Sequence, residues 1–290
     1  MIRLIFGCGY LGLRVAKKWI ASGDSVYSIT RTKARSDELS QLGIAPIIAD
    51  VTNPSSLESL PSADTVLFAV GMDRSQYDDI RQVYVEGLQN VLDRLSDSVK
   101  HLIYISSTGV YGDFGGDWVD ESSITEPTRE GGKACLEAEG LIREGGFQSR
   151  NTILRFAGIY GPHRVPTRNL IQSRAWDKLA ASGYLNLIHV DDGASIVERV
   201  ANHRPKNETF LVSDGAPALR REYYEFVASQ LGVSEIPWAE QPTEQTQPSP
   251  RSLRSNNSKR ISNTKLLNTF DVRFEYPDYR AGVIQALNKS

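Results

Sequence analysis

Residues 1–30 read MIRLIFGCGYLGLRVAKKWIASGDSVYSIT, and this stretch decides the fold. Residues 3–6 form a short apolar run that predicts a β-strand, and the apolar residues after it recur at helical spacing. Between the two, Gly7, Gly9 and Gly12 form the pattern GxGxxG. That pattern is informative when a strand precedes it and a helix follows it, as is predicted here. The stretch therefore predicts a strand–turn–helix unit that binds a dinucleotide.

Each glycine of this turn has a predicted role. The first allows the tight turn, the second lets a pyrophosphate approach the backbone, and the third lets helix and strand pack closely. The helix N-terminus offers unpaired N–H groups and a partial positive charge to the anion. A glycine turn without a ligand is the alternative interpretation. The residues expected to hold the pyrophosphate are Gly7, Gly9, Tyr10, Leu11 and Gly12.

The rest of the chain alternates apolar runs with helical patterns. This alternation predicts a parallel sheet covered on both faces, in a doubly wound α/β (Rossmann) fold. We expect a dinucleotide-binding domain at 1–165 and a smaller C-terminal substrate lobe at 166–290, with 185–213 returning to the sheet. The predicted strands are 3–6, 25–30, 45–49, 65–70, 101–105, 151–156, 185–190 and 209–212; the predicted helices include 77–95, 133–144 and 221–231, and 239–260 is predicted to be a mobile loop.

Composition limits the possible functions. The 290 residues carry a net charge of −2, which gives no support to nucleic-acid binding. No apolar run is long enough for a membrane helix, and the N-terminus lacks the features of a signal peptide. Cys8 and Cys135 lie far apart, and the histidines lack metal-ligand spacing, so we predict neither a disulfide framework nor a metal site. A cytoplasmic location is the default expectation.

The end of the second predicted strand bears on the choice of cofactor. An acidic residue that binds the ribose 2′-hydroxyl of NAD is expected there, but the sequence continues Thr30-Arg31-Thr32-Lys33-Ala34-Arg35. Cationic and hydroxyl groups at this place favour a 2′-phosphate. We therefore expect NADP(H), held in part by Thr30 and Arg31, with NAD(H) as the other possibility. The alternative is that Lys33 and Arg35 merely face water.

Seven segments in a fixed order add to this interpretation. They are GCGYLG, ADVTNP, VLFAVG, VYVEGLQNVL, YISSTGVYGD, LRFAGIYGP and LIHVDDGA. In this order they resemble segments of the extended short-chain dehydrogenase/reductase superfamily, of the NAD-dependent epimerase/dehydratase type. The resemblance implies that Asp50 and Val51 lie beside the adenine, and that Ala69, Val70 and Gly71 line the path to the nicotinamide ribose.

The resemblance also implies a catalytic set, from which this chain departs. Ser107 matches the family serine that polarises the substrate oxygen, with Ser106 and Thr108 as alternatives, and Lys133 matches the lysine that holds the ribose. The tyrosine expected four residues before the lysine is Arg129. Arginine stays protonated in proteins and offers only donors, so Arg129 cannot shuttle a proton.

Two hypotheses follow from this departure. The first is an NADP(H)-linked oxidoreductase or epimerase-like enzyme that acts on a small hydroxy or keto compound, or on a nucleotide sugar, with a different acid/base. The second is a non-catalytic NADP(H)-binding sensor or regulator. In either case the expected partner is a small molecule, and a homodimer is possible because relatives pair through helices like those predicted at 77–95 and 133–144.

Overall fold

The apolar runs of the first half of the chain form the predicted sheet. The computed structural model describes residues 1–73, 75–238 and 258–289. The strands of the sheet are β1 (Ile2–Phe6), β2 (Ser25–Thr30), β3 (Ala45–Ile48), β4 (Thr65–Phe68), β5 (His101–Ser107), β7 (Asn151–Phe156) and β11 (Glu208–Val212). These seven strands are parallel and lie in the order β11-β7-β5-β4-β1-β2-β3. The predicted doubly wound α/β fold is confirmed.

The residues of β1 show how both faces of this sheet are covered. Leu4 and Phe6 belong to an apolar cluster that also contains residues of the helices on that face. Arg3 points to the other face, where its guanidinium lies 5.1 Å from the ring centre of Trp19 and donates to Ala201 O. The first unit also contains the helices α1 (Gly12–Ala21), α2 (Lys33–Gln41), α3 (Gly87–Leu92), α4 (Glu130–Glu144) and α6 (Val190–His203).

The helix predicted at 77–95 is shorter than expected and not uniform. A π-helical turn, Gln82–Glu86, precedes α3, and α3 ends at Leu92. Tyr77 lies outside the helix, and its hydroxyl donates instead to Asp50. A Cβ on Gly87 would lie 2.9 Å from Val51 Cγ2, so the chain approaches the end of β3 closely here. These contacts are not local in sequence, which is why helical periodicity did not reveal them.

A second compact unit comprises Gly112–Ser123, Ala157–His189 and the described part of Ser213–Ser290. Its core contains aromatic side chains such as Tyr223 and Tyr279, whose ring centres lie 5.1 Å apart. Its strands form three two-stranded pairs. The elements of this unit are β6 (Trp118–Val119), β8 (Gly158–Tyr160), β9 (Tyr184–Leu185), β10 (Leu187–His189), β12 (Ala218–Leu219), β13 (Arg260–Ile261), α5 (Arg168–Gln172), α7 (Arg220–Gln230), α8 (Thr264–Thr269) and α9 (Tyr279–Asn288).

Two predictions for the C-terminal part need correction. The strand predicted at 185–190 is two strands, β9 and β10, separated at Asn186, whose side chain bonds Lys259 O and Ile261 N. Of the loop predicted at 239–260, residues 239–257 lie outside the described part of the chain. Its end at Arg260 belongs to β13, which pairs with β6. Such pairing between distant segments leaves no signal in local composition.

The described helices include none that is long and apolar enough to cross a membrane.

Within the first unit, two buried charges form a pair. The Glu139 carboxylate of α4 is bound by Arg155 Nε at 2.9 Å and Nη2 at 2.7 Å, and by Ser106 Oγ at 2.6 Å. Although burial opposes it, this carboxylate raises the pKa of Arg155, so the guanidinium stays charged. The pair joins α4 to two central strands.

We expect Glu139→Gln to lower the free energy of unfolding by roughly 3 kcal/mol or more, because it leaves the buried Arg155 charge without its counter-ion. Glu137→Gln is the matched control, since Glu137 lies on the same helix and also binds an arginine, Arg81, but at the surface. Its expected cost is about 0–1 kcal/mol. Urea unfolding measures both variants. Equal losses would show that burial of the Glu139 pair is unimportant.

Candidate functional site

The glycine turn after β1 is shaped by close backbone contacts at two of its three glycines. Gly7 has φ +91°, and a Cβ there would lie 2.3 Å from Ala69 O. A Cβ on Gly12 would lie 2.3 Å from Gly7 O, so α1 packs directly on the turn. A Cβ on Gly9 would meet no described atom within 4 Å. The first and third glycines therefore serve packing, while the second presents open backbone at the start of α1.

The other two turn residues are anchored differently. Leu11 is buried, whereas Tyr10 is half-buried and lies under the guanidinium of Arg14, 4.5 Å from its ring centre. Arg14 also donates to Tyr10 O at 2.8 Å and to Asp191 Oδ1 at 2.7 Å. Asp191 lies in the first turn of α6. The turn is thus fixed by a side chain of α1 that is itself bound by α6.

The cations after β2 all lie in ion pairs. Arg31 binds Asp73, Lys33 binds Asp37 and Arg35 binds Glu38. Arg35 additionally donates from Nη2 to Cys8 O at 3.0 Å, so its guanidinium reaches the glycine turn. Thr30 is buried. The interpretation that Lys33 faces water fits its exposed side chain, but Arg35 contacts the turn.

Asp50 and Val51, expected beside the adenine, follow β3. Val51 is buried, and Asp50 Oδ1 accepts hydrogen bonds from Thr52 N and Thr52 Oγ1, both at 2.9 Å. Partial burial opposes ionisation of Asp50, but the Tyr77 hydroxyl and the Thr52 groups lower its pKa overall. Tyr77 also lies under Arg31, whose guanidinium is 5.5 Å from its ring centre. A polar row therefore runs between the ends of β2 and β3.

Asp73 and Tyr77 belong to this row, although no motif in the sequence marks them as binding residues. Tyr77 lies where helical spacing predicts the start of a helix, and Asp73 lies in the connection before it. The one sequence signal is the presence of two turn-forming residues, Asp73 and Ser75: Asp73 Oδ1 accepts hydrogen bonds from Ser75 N and Ser75 Oγ. Tertiary folding brings this segment to Arg31 and Asp50.

Ala69, Val70 and Gly71 directly follow β4. Ala69 N donates to Phe6 O at 2.7 Å, which continues the parallel pairing with β1 to the glycine turn. A Cβ on Gly71 would meet no described atom within 4 Å. Met72 N donates to the hydroxyl of Tyr84 at 3.2 Å. The β4 end therefore adjoins the glycine turn on one side and a tyrosine hydroxyl, not identified from the sequence, on the other.

Ser107 and Lys133 are brought together by a backbone contact. Ser107 ends β5, and its Oγ accepts from Gly109 N at 3.0 Å. A Cβ on Gly132 would lie 2.2 Å from Gly109 O, so the turn after Ser107 packs against α4 one residue before Lys133. Lys133 Nζ lies 2.9 Å from Glu130 Oε1 and is largely exposed. Gly132, directly before Lys133, is thus required by packing, whereas a Cβ on Gly131 would make only ordinary contact with Ile80 at 3.5 Å.

Arg129 does not lie on the same helix face as Lys133. It is the N-cap of α4, with extended backbone at φ −113° and ψ 147°, and its carbonyl accepts from Lys133 N. The helix itself begins at the next residue, Glu130. Arg129 precedes the helix by one residue.

The alternatives to Ser107 differ in exposure. Ser106 is buried and donates to Glu139, so its hydroxyl belongs to the buried pair rather than to a ligand site. Thr108 is half-buried in the short turn Thr108–Val110. Ser107 therefore remains the candidate hydroxyl.

Among the residues that the structure describes, no group of three or more His, Cys, Asp or Glu side chains could hold a metal ion.

Comparison with known proteins agrees with this arrangement of strands and turns. Residues 4–235 match the 3-beta hydroxysteroid dehydrogenase/isomerase family along most of the chain. The chain belongs to this family. The resemblance to the extended short-chain dehydrogenase/reductase superfamily, inferred from the ordered motifs, is confirmed at that level.

Three relatives illustrate the range of the family and of its fold. Protein YeeZ of Escherichia coli strain K12 is 26% identical over 280 residues, which cover 94% of this chain and 96% of that protein. A protein of Methylobacillus flagellatus, provisionally named an NAD-dependent epimerase/dehydratase, is 30% identical, with a TM-score of 0.75 and coverage of 99% and 97%. UDP-glucose 4-epimerase of Thermus thermophilus, solved with NAD, is 18% identical with a TM-score of 0.78 and coverage of 100% and 98%. At that identity the last likeness shows the fold alone.

For this member of the 3-beta hydroxysteroid dehydrogenase/isomerase family, we expect Gly9→Ala to leave the melting temperature unchanged but to weaken dinucleotide binding at least about tenfold. The added methyl group meets open space in the protein, yet it occupies the approach to the pyrophosphate. Gly12→Ala is the matched control: it forces a contact with Gly7 O and should destabilise the fold by roughly 1–3 kcal/mol. Thermal unfolding and titration with NADPH and NADH separate the two effects. Unchanged affinity in Gly9→Ala would contradict the assignment of the turn.

Proposed function

We propose that this protein binds NADP(H) and acts as an epimerase/dehydratase-like oxidoreductase on a small hydroxy or keto compound, or on a nucleotide sugar. The observation that carries the proposal is the open backbone at Gly9. It lies at the N-terminus of α1, where N–H groups and the helix dipole favour a pyrophosphate. Membership of the family and the relatives of the same fold support this reading of the turn.

The preference for NADP(H) rests on the cations that follow β2. Arg31 is the first residue after that strand, and the Arg35 side chain extends from α2 to the carbonyl of Cys8 in the glycine turn. Guanidinium groups bind phosphates through two parallel hydrogen bonds, which suits a 2′-phosphate at this place. NAD(H) is the competing cofactor, because T. thermophilus UDP-glucose 4-epimerase was solved with NAD.

The candidate catalytic residues divide the remaining tasks. The nicotinamide, when bound, donates or accepts a hydride. Ser107 Oγ accepts from Gly109 N and is proposed to donate its own proton to a substrate oxygen. Lys133 is proposed to bind the ribose, exchanging its exposed bond to Glu130 for that contact. Arg129 is proposed to bind an anionic oxygen, carboxylate or phosphate of the substrate, since it can only donate.

The proton transfer that Arg129 cannot perform requires another group. Tyr84 is our candidate, because its half-buried hydroxyl accepts from Met72 N beside Gly71, on the proposed path to the nicotinamide ribose. A tyrosine hydroxyl can both accept and donate a hydrogen bond. Tyr111, in contrast, is fully buried and bound by Arg155 Nη1 at 2.7 Å, which favours a structural role.

A second candidate function is a non-catalytic NADP(H)-binding sensor or regulator. The position of Arg129 favours it: a permanently charged residue stands at the N-cap of α4 where the resemblance implies a tyrosine. In that case Ser107 and Lys133 would only bind the cofactor.

A homodimer formed through 77–95 and 133–144, and a cytoplasmic location, also stay proposals. The sedimentation velocity of the purified protein tests the first of these.

We expect NADPH to raise the melting temperature more than NADH does at equal concentration. A ligand at about 100 times its Kd stabilises the folded state by roughly 2.7 kcal/mol, so even modest affinity is detectable. Arg35→Ala should reduce the NADPH effect while leaving the NADH effect unchanged, and Lys33→Ala, which removes an exposed cation of the same segment, serves as the control. A larger shift with NADH would overturn the NADP(H) preference, and no shift with either would contradict dinucleotide binding.

We expect Arg129→Tyr to raise the rate of hydride transfer on a panel of carbonyl and nucleotide-sugar substrates by about 10²-fold or more, because a positioned general acid contributes on that order. Arg129→Gln, which removes the charge without supplying a phenol, should show no such gain. NADPH oxidation followed by absorbance measures both. If wild-type protein and both variants bind NADPH but turn over nothing, the sensor function is favoured over the enzyme.

A further inference from the structure

The end of β2 carries a counter-ion that comes from elsewhere in the chain. Arg31 Nη2 lies 2.7 Å from Asp73 Oδ2, and the two side chains are 39% and 38% exposed, so solvent and solutes can reach them. The guanidinium also lies over the ring of Tyr77. Asp73 follows β4, so the contact joins the ends of two strands that both adjoin β1.

Asp73 is held in place by its own turn. Its Oδ1 accepts from Ser75 Oγ at 2.6 Å and from Ser75 N at 3.1 Å, while Oδ2 is directed at Arg31. The Ser75 bonds, followed by Arg31, lower the pKa of Asp73 to about 2, so the carboxylate is charged throughout the neutral range. The pair is thus a permanent cation and a permanent anion at fixed positions.

The other two cations of this segment have different partners. Lys33 and Arg35 pair with Asp37 and Glu38 on their own helix, in exposed pairs of the kind that contribute little. Only for Arg31, among these three, does the counter-ion come from another segment. Asp73 therefore places a carboxylate at the end of β2, where the sequence itself has none.

We propose that Asp73 sets the discrimination between NADPH and NADH by neutralising Arg31, the residue that a 2′-phosphate would bind. This inference rests on the proposed dinucleotide-binding function. A 2′-phosphate has to replace Asp73 on the guanidinium and then lies near a fixed carboxylate of the same sign. NADH has no such group and leaves the Arg31–Asp73 pair intact. Asp73 thus weakens NADPH binding without affecting NADH binding.

The test is Asp73→Asn, because asparagine preserves the turn with Ser75 but removes the charge. We expect this variant to bind NADPH about five- to tenfold more tightly than the wild type, and NADH with less than about a twofold change. Asp78→Asn is the matched control, because this substitution removes the same charge. Asp78 is exposed and lies a few residues further along the same segment. Its affinities for both cofactors should stay within about twofold of the wild type. Fluorescence titration of the wild type and both variants with each reduced cofactor, at fixed ionic strength, measures these affinities.

A double substitution isolates the contact. On an Arg31→Gln background, NADPH binding should be weaker, and Asp73→Asn should no longer improve it, because the two residues act through one interaction. Titration with 2′,5′-ADP should follow NADPH, since it carries the 2′-phosphate without the nicotinamide. Thermal unfolding without ligand checks that each variant is folded.

Four results would overturn the inference. A loss of NADH affinity in Asp73→Asn without a gain for NADPH would mean that Asp73 itself binds the ribose. An equal gain in Asp78→Asn would mean that only the overall charge matters. Tight NADPH binding that is indifferent to Asp73→Asn would exclude the contact from the site while leaving the proposed function standing. Wild-type protein that binds neither dinucleotide contradicts the proposed function, and the inference with it.

Discussion

Close contact between a helix start and the backbone of a strand-end turn is the constraint on which this structure depends. It occurs twice. At Gly12 the first residue of α1 lies against the carbonyl of Gly7, and at Gly132 the first turn of α4 lies against the carbonyl of Gly109. A Cβ at Gly12 or Gly132 would lie well inside van der Waals distance of that oxygen, so only glycine allows the approach. The first contact forms the candidate phosphate turn, and the second brings Lys133 beside the strand that ends at Ser107.

Ion pairs differ in burial between the end of β2 and the contact of α4 with β5 and β7. At the latter, the Glu139–Arg155 pair is buried, and further hydrogen bonds from Ser106 to Glu139 and from Arg155 to Tyr111 fix its geometry. At the end of β2, the pairs are exposed and can exchange partners at little cost. The buried pair therefore suits a structural role, whereas the exposed cations suit the binding of a charged ligand.

Arg129 separates the question of binding from the question of catalysis. Arg129 precedes α4, whereas the glycine turn precedes α1, so the proposed acid/base set and the proposed cofactor site use different elements of the fold. Family membership alone therefore does not assign a reaction. A fold positions the cofactor, but the chemistry depends on individual side chains at the site.

The sequence by itself determined the sheet and the turn. The predicted strands 25–30 and 151–156 coincide with β2 and β7, most of whose residues are buried, as expected for strands covered on both faces of the sheet. The three glycines follow from the motif itself: Gly7 has a positive φ in the turn, Gly9 leaves its backbone open, and Gly12 packs against Gly7 O. Only the tertiary structure decided which side chains meet: Asp73 with Arg31, Tyr77 with Asp50, and β13 with β6. Those contacts join segments far apart in the chain, and no local period or composition encodes them.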